Sequence, residues 1–109
     1  MNVVILVGRV TKIDTVYDSN APKIRITMAV QGDFKHEDGI YDINFVPVIA
    51  SGTIAEKTKQ YVKNGDVISV KGSMQLEEYI NEDNDYVSKK LEIVANKVSF
   101  LASAGTNIN

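Results

Sequence analysis

The 109-residue sequence contains no cysteine and only one histidine, His36. Without thiols there is no disulfide, thiolate metal site or cysteine nucleophile, and a single imidazole cannot build a histidine-rich metal site. The N-terminal apolar run, Val3–Val7, is far too short to span a bilayer and follows no basic segment of a signal peptide. We therefore expect a cytoplasmic protein that needs no metal or cofactor and has no membrane contact.

Neither sign of charge predominates in the chain, because 12 basic and 14 acidic residues give a net charge of only -2. Hydrophobic residues make up 44% and charged residues 24%, which is a globular balance. A chain of this length forms one domain with a lean core, so association between copies would bury useful surface. Any surface that binds an anionic polymer must be basic locally, since the whole chain is slightly acidic.

Alternation of apolar and polar residues, the pattern of strands with one buried face, dominates the chain. Residues 24–30 place apolar side chains at every second position, and residues 68–76 repeat the pattern around Gly72, where a glycine favours a bulge. In the last apolar segment the parity changes near Asn96, which predicts a further bulge. Together with the first apolar run and the segment Tyr41–Ile49, these segments make five strands.

One short helix is predicted between the third and fourth strands. Thr53 and Glu56 have the spacing of a capping box, in which both side chains bind the first amides of the helix. Apolar side chains, among them Tyr61, then fall on one face, and Asn64-Gly65 supplies a stop signal. We expect this helix to close one end of a curved sheet.

The connections carry distinct signals. Asp38-Gly39 predicts a hairpin turn with a residue at positive φ. Residues 77–85 contain five acidic residues and no basic one, and we expect a solvated, mobile loop there. Residues 1–101 form the predicted domain, and the small, uncharged residues 102–109 form a predicted frayed tail.

Three strands, a helix and two further strands, in that order, predict an OB-fold: an all-β, five-stranded, partly open Greek-key barrel. Such barrels bind oligonucleotides or oligosaccharides across one face and its flanking loops, and the fold alone does not choose between these ligands. The clustered carboxylates fall in the acidic loop, which is a poor frame for catalysis. We therefore expect a binding protein and no enzyme.

The local sequence is more specific than the strand pattern. Its informative segments, in order, are Asn2–Lys12, Thr27–Val30, Phe34–Gly39, Ala55-Glu56, Tyr61–Asp66, Gly72–Gln75 and Val98–Leu101. In this order they resemble the bacterial and phage single-stranded DNA-binding protein family, whose first strand typically contains Asn-x-Val-x-Leu-Val-Gly-Arg-Leu-Thr. Each segment is weakly specific alone, but together they cover nearly the whole chain.

The resemblance implies sequence-independent binding and protection of single-stranded DNA in replication, recombination or repair, on the nucleoid and beside replication or repair proteins. Members of the family stack bases on aromatic side chains along a basic groove. They usually form homotetramers through their first strands, and related primosome proteins form dimers. The residues carried over as stacking rings are Phe34, Phe45 and Tyr79, and the cations expected to bind phosphates are Arg9, Arg25, Lys35 and Lys63.

Several departures from the family pattern predict weaker binding than in a typical member. Ser51 replaces a fourth ring, and a stacked base contributes about 1–3 kcal/mol. Gly32 stands where the family tends to carry arginine, and Glu77 and Glu78 stand where it carries basic residues. Each lost phosphate contact lowers the slope of log affinity against log salt by about 0.7. Residues 107–109 do not form the family's acidic, Pro-Phe tip, so we expect a tailless or shortened relative.

Other interpretations stay open from the residues alone. Phe45 alternates with Val46 and Val48, which is equally the pattern of a core residue, and Tyr79 can serve solvent or DNA. The reversed charges suggest an alternative function: an OB-fold replication accessory that works mainly through protein contacts and binds DNA weakly. An oligosaccharide-binding domain is a more distant alternative.

Overall fold

Five strands and one helix make up the part of the chain that the structure describes. The computed structural model describes residues 1–18, 20–81, 83 and 86–105, without the side chains at positions 79, 81 and 86. The elements are β1 (Val4–Tyr17), β2 (Lys23–Lys35), β3 (Tyr41–Ser51), α1 (Gly52–Tyr61), β4 (Val67–Asn81) and β5 (Tyr86–Ala102). None of the helices in these residues is long and apolar enough to cross a membrane.

The strands close into a barrel in the order β1-β2-β3-β5-β4, with β4 returning to β1. All neighbours are antiparallel except β3 and β5, which pair in parallel at only two positions, Val48 with Ile93 and Ile49 with Val94. The predicted all-β OB-fold, with its helix between the third and fourth strands, is confirmed. Because the parallel seam is so short, the β2–β3 hairpin and the β4–β5 ribbon both extend beyond the closed part of the barrel.

The core lies where the inward positions of the strands meet. Ile24, Ile26 and Met28 of β2 are fully buried, as their alternation predicted. Burying one such side chain contributes about 1.5–3 kcal/mol. These residues pack with a cluster that includes Val10, Val48, Ala50, Ala55, Ile68, Val70 and Ala95.

Helix α1 closes one end of the barrel, but it does not begin at the predicted capping box. Its N-cap is Ser51, which makes no side-chain cap bond. Gly52 turns the chain directly from β3 into the helix at a φ of 61°, and its amide donates to the Pro22 carbonyl at 2.9 Å. Thr58 is buried, whereas Tyr61, which was predicted on the apolar face of the helix, is 66% exposed and lies outside the core.

The bulge predicted near Asn96 is confirmed by the register of β4 and β5. Lys71 pairs with Lys97 and Gly72 pairs with Ala95, so Asn96 is the extra residue. At this point the two backbones approach closely, since a Cβ added at Gly72 would lie 2.1 Å from the Val94 carbonyl oxygen. Only glycine fits there without displacing the neighbouring strand.

The acidic segment corrects a second prediction. Residues 77–81 are not a loop, because they continue β4 and pair with β5 up to Tyr86. These residues form a strand because residues 86–90 of β5 pair with them, and the sequence of the acidic segment does not reveal that pairing. Of the connecting residues, only Asp83 is described.

The C-terminal segment is attached to the barrel at Ala104, whose amide donates to Oδ1 of Asp66 at 3.0 Å. Asp66 is buried and also accepts from the Lys63 amide, at 2.8 Å. Residues 106–109 of the predicted frayed tail lie outside the described residues, and the domain boundary at residue 101 stays a prediction.

Replacing Gly72 by alanine tests the close approach of the β4 and β5 backbones. Because the added methyl group would collide with a carbonyl oxygen, we expect Gly72→Ala to lower the free energy of unfolding by about 1–3 kcal/mol or more. Urea denaturation measures the change. Ser73→Ala, at the next position, should stay within about 0.5 kcal/mol of the parent chain. An unchanged midpoint for Gly72→Ala would contradict the bulge geometry.

Candidate nucleic-acid interface

The outward positions of β1, β2 and β3 form one continuous surface, which we call the outer face. Side chains that stand directly opposite each other on neighbouring strands share a face of the sheet. The alternate residues of β2 that point away from the core therefore define rows across all three strands. From the hairpin end to the α1 end, the rows are Gln31–Ile43, Arg9–Ala29–Phe45, Lys12–Thr27–Pro47, Asp14–Arg25–Ile49 and Tyr17–Lys23–Ser51.

Two of the predicted rings are exposed on the β2–β3 hairpin. Phe45 is 66% exposed, while Val48 is fully buried and Val46 is partly buried against the core. This alternation assigns Phe45 to the outer face and removes the core interpretation. Phe34 is 83% exposed and lies in an irregular stretch of β2 between Gln31 and Lys35.

The third predicted ring, Tyr79, lies on the β4–β5 ribbon. Its backbone pairs with Ser88. Its side chain lies outside the described part of the structure. Its role in stacking therefore stays a prediction.

Tyr41 is an aromatic residue that the sequence analysis did not assign. It lies opposite Lys35, whose Nζ is 5.9 Å from the centre of the tyrosine ring. With Arg9, Gln31 and Ile43, Tyr41 lines a shallow hollow of about 380 Å³ beside Ala29. The signal was present in the sequence, since Tyr41 has the same parity as Phe45, but only the register shows that this parity points outward.

Arg9 contacts the loop between α1 and β4, and the same loop contains Lys63. Nη1 of Arg9 donates to the Gly65 carbonyl at 2.6 Å, and the Gly65 amide donates to the Val10 carbonyl at 2.7 Å. The same loop is folded around the buried Asp66 carboxylate, which accepts from the Lys63 amide. Arg9 therefore anchors the loop to the outer face, and Lys63 stands exposed on that loop.

Arg25 lies beside a cation that the sequence analysis missed. A small hollow of about 50 Å³, at the point where β3 separates from β5, is lined by Arg25, Pro47, Ile49, Lys90, Leu91 and Glu92. Nζ of Lys90 is 3.5 Å from the buried Glu92 carboxylate. The β4–β5 ribbon thus continues the outer face and brings Lys90, together with its partner Glu92, next to Arg25.

The two glutamates with reversed charge are matched by lysines on the opposite strand. Glu78 pairs with Lys89, with 3.8 Å between Oε1 and Nζ, and Glu77 stands opposite Lys90. The two glutamates lie on opposite faces of the ribbon, because neighbouring residues of a strand alternate. The charge that motivated the protein-contact alternative is therefore balanced within the ribbon.

The outer face is open and shallow, and rings and cations are exposed on it beside Gln31, Ile43 and Asp14. Within the described residues, no group of three or more His, Cys, Asp or Glu side chains could hold a metal ion. Flat apolar rings between separated cations suit a ligand with flat bases and regularly spaced anions. The fold and this face together define an OB-fold barrel of the kind that binds extended polyanions across its sheet.

The comparisons with known proteins agree with this class. Residues 1–101 match the Single-strand binding protein family. The chain is 34% identical to single-stranded DNA-binding protein 3 of Clostridium acetobutylicum, covering 100% of this chain and 76% of that protein. It is 36% identical to single-stranded DNA-binding protein B of Bacillus subtilis, covering 92% and 89%. The chain therefore belongs to the single-strand binding protein family, which confirms the resemblance.

A solved structure supports the fold. A deletion mutant of the single-stranded DNA binding protein from Thermus aquaticus aligns with a TM-score of 0.74 and 22% identity. The alignment covers all of this chain and 54% of that chain.

Proposed function

We propose that this chain binds single-stranded DNA without sequence preference and protects it in replication, recombination or repair. It acts as a binding protein without a catalytic step, in the cytoplasm on the nucleoid, and associates with replication or repair proteins. The observation that supports this most directly is the exposure of Phe45 on an open sheet face, in one row with Arg9.

Stacking on rings supplies the part of the affinity that does not depend on sequence, because every base has a π-face. Phe34, Phe45 and Tyr79 are the proposed platforms, and Tyr41 adds a fourth ring on the β2–β3 hairpin. What distinguishes Phe45 from other exposed rings of the chain is its place on an open sheet face in one row with the cation Arg9, where a base and its phosphate can both be bound. At about 1–3 kcal/mol per base, two or three stacked bases give a useful affinity.

Phosphate contacts supply the salt-dependent part of the affinity. The proposed contacts come from Arg9, Arg25, Lys35 and Lys63, to which Lys90 is added. Each contact steepens the slope of log affinity against log salt by about 0.7 for a single strand. A net charge of -2 is compatible with such a surface, because Glu77 and Glu78 of the ribbon stand opposite Lys90 and Lys89.

We also propose that the chain is a homo-oligomer, a tetramer or a dimer, assembled through β1. Ile5 and Val7 of this strand, and Val3 directly before it, occupy alternate positions, and all three are about half exposed or more. Exposed aliphatic rows of this kind usually mark a contact with another protein surface.

The function is tested by fluorescence anisotropy of a labelled thymidine oligonucleotide at low salt. We expect saturable binding by the parent chain, and no saturation up to about 100 µM would contradict the function. We expect Phe45→Ala to weaken binding by about 1–3 kcal/mol, since it removes a stacking platform. Phe100→Ala, which removes a 53% exposed ring from β5 away from the outer face, serves as the control and should bind like the parent.

Charge reversal on the ribbon tests which of its faces meets DNA. Glu77→Lys places a cation beside Lys90, so we expect tighter binding and a salt slope steeper by about 0.7. Glu78→Lys makes the same change on the opposite face and breaks only an exposed ion pair, so it should alter the slope less. Equal slopes for the two variants would contradict the proposed orientation of the ribbon.

Light scattering tests the proposed role of β1 in assembly. We expect the parent chain to give the mass of a dimer or tetramer and Ile5→Lys to lower it, because the substitution places a charge in an apolar contact. Ile80→Lys changes an equally exposed aliphatic residue on the ribbon and should leave the mass unchanged. A monomeric parent chain, or an Ile5→Lys variant of unchanged mass, would exclude β1 as the interface.

A further inference from the structure

The row of the outer face nearest α1 carries an aromatic ring that the proposed function does not use. In this row Tyr17 of β1 stands opposite Lys23 of β2, which stands opposite Ser51 of β3. The row lies six residues along β2 from the row of Phe45, which corresponds to about 20 Å. Since both rows belong to the same face, a strand lying along that face would reach Tyr17.

The ring of Tyr17 is available and has a cation beside it. Tyr17 is 56% exposed, and Nζ of Lys23 is 5.8 Å from the centre of its ring. Ser51 supplies no ring at this end of β3, so the ring in this row comes from β1. The ammonium group of Lys23 lies over the ring of Tyr17, so one short stretch of the surface offers both an exposed ring for a base and a cation for its phosphate.

The surface between the two ends does not repel a polyanion. Arg25 lies in the row next to Lys23, and among the described residues it has no ion-pair partner. The carboxylate in that row, Asp14, is 3.6 Å from Nζ of Lys12, which offsets its charge. The path from Phe45 to Tyr17 is therefore crossed by cations on β1 and β2.

We propose that Tyr17 and Lys23 form a separate nucleotide subsite at the α1 end of the outer face. The base of a bound strand stacks on Tyr17, and its phosphate lies against Lys23. The subsite rests on the proposed function, because it lengthens the path of the same strand rather than binding a different ligand. It predicts that a long strand contacts Tyr17, while a short strand held at Phe45 does not reach it.

Oligothymidylates of two lengths test the subsite by anisotropy. Lengths of about 2 and about 16 nucleotides are used, since the shorter one is below the site size of one OB-fold and cannot span the distance between the two rows, whereas the longer one can. For Tyr17→Ala we expect the affinity for the long strand to fall about five-fold or more, with the short strand unaffected. Tyr17→Phe keeps the ring and should bind both strands like the parent. Lys23→Ala should lower the salt slope by about 0.7 for the long strand only.

The control is Tyr61→Ala, because Tyr61 is similarly exposed but lines a groove between α1 and β5. Unchanged binding of the long strand by Tyr17→Ala would overturn the subsite, as would equal weakening of both strands or an equal effect of Tyr61→Ala. If Tyr17→Ala unfolds, the Lys23→Ala slope decides the question in the same way. If the parent chain binds neither strand, the proposed function itself is contradicted. If Phe45→Ala weakens the binding of both strands, the proposed function is supported, whatever the result for Tyr17.

Discussion

The register of β2 against β1 and β3 is the constraint on which the rest of the molecule depends. Side chains alternate along a strand with a period of two, so a slip of one residue would exchange the two faces of the sheet. Such a slip would bury Arg25 and expose Ile24 and Ile26, which are fully buried here. The burial that folds the barrel therefore also selects which rings and cations remain outside for a ligand.

The way in which the barrel closes determines where the exposed rings and cations lie. The seam between β3 and β5 contains only two residue pairs, so both hairpins project past it and lengthen the outer face. At the other end, α1 closes the barrel, and the loop after it binds back to β1 through Arg9 and the buried Asp66. Arg9 thus makes a structural contact with the Gly65 carbonyl and is also a proposed phosphate contact. The acidic ribbon is tolerated beside this face because β5 places lysines opposite its glutamates.

Features with a local cause could be predicted from the sequence, and features that depend on pairing between distant strands could not. The alternation in β2, the positive φ of Gly39 and the bulge at Asn96 each follow from a short segment. Three features could be recognised only from the pairing of distant strands. They are the outward direction of Phe45, the strand formed by residues 77–81 and the proximity of Lys90 to Arg25. The start of α1 also could not be predicted, because the helix begins at Gly52, whose amide donates to the carbonyl of Pro22, a residue far away in the sequence.

The binding of single-stranded DNA to the outer face is tested most directly by titrating the isotope-labelled chain with an oligothymidylate. The amide chemical shifts then map the contact surface. If the outer face binds the strand, the largest changes will follow the outward positions of β2 and β3, centred on Ala29 and Phe45. Changes confined to α1, or to the row of exposed aliphatic residues on β1, would show that the ligand lies elsewhere and would contradict the assignment of the outer face as the DNA interface.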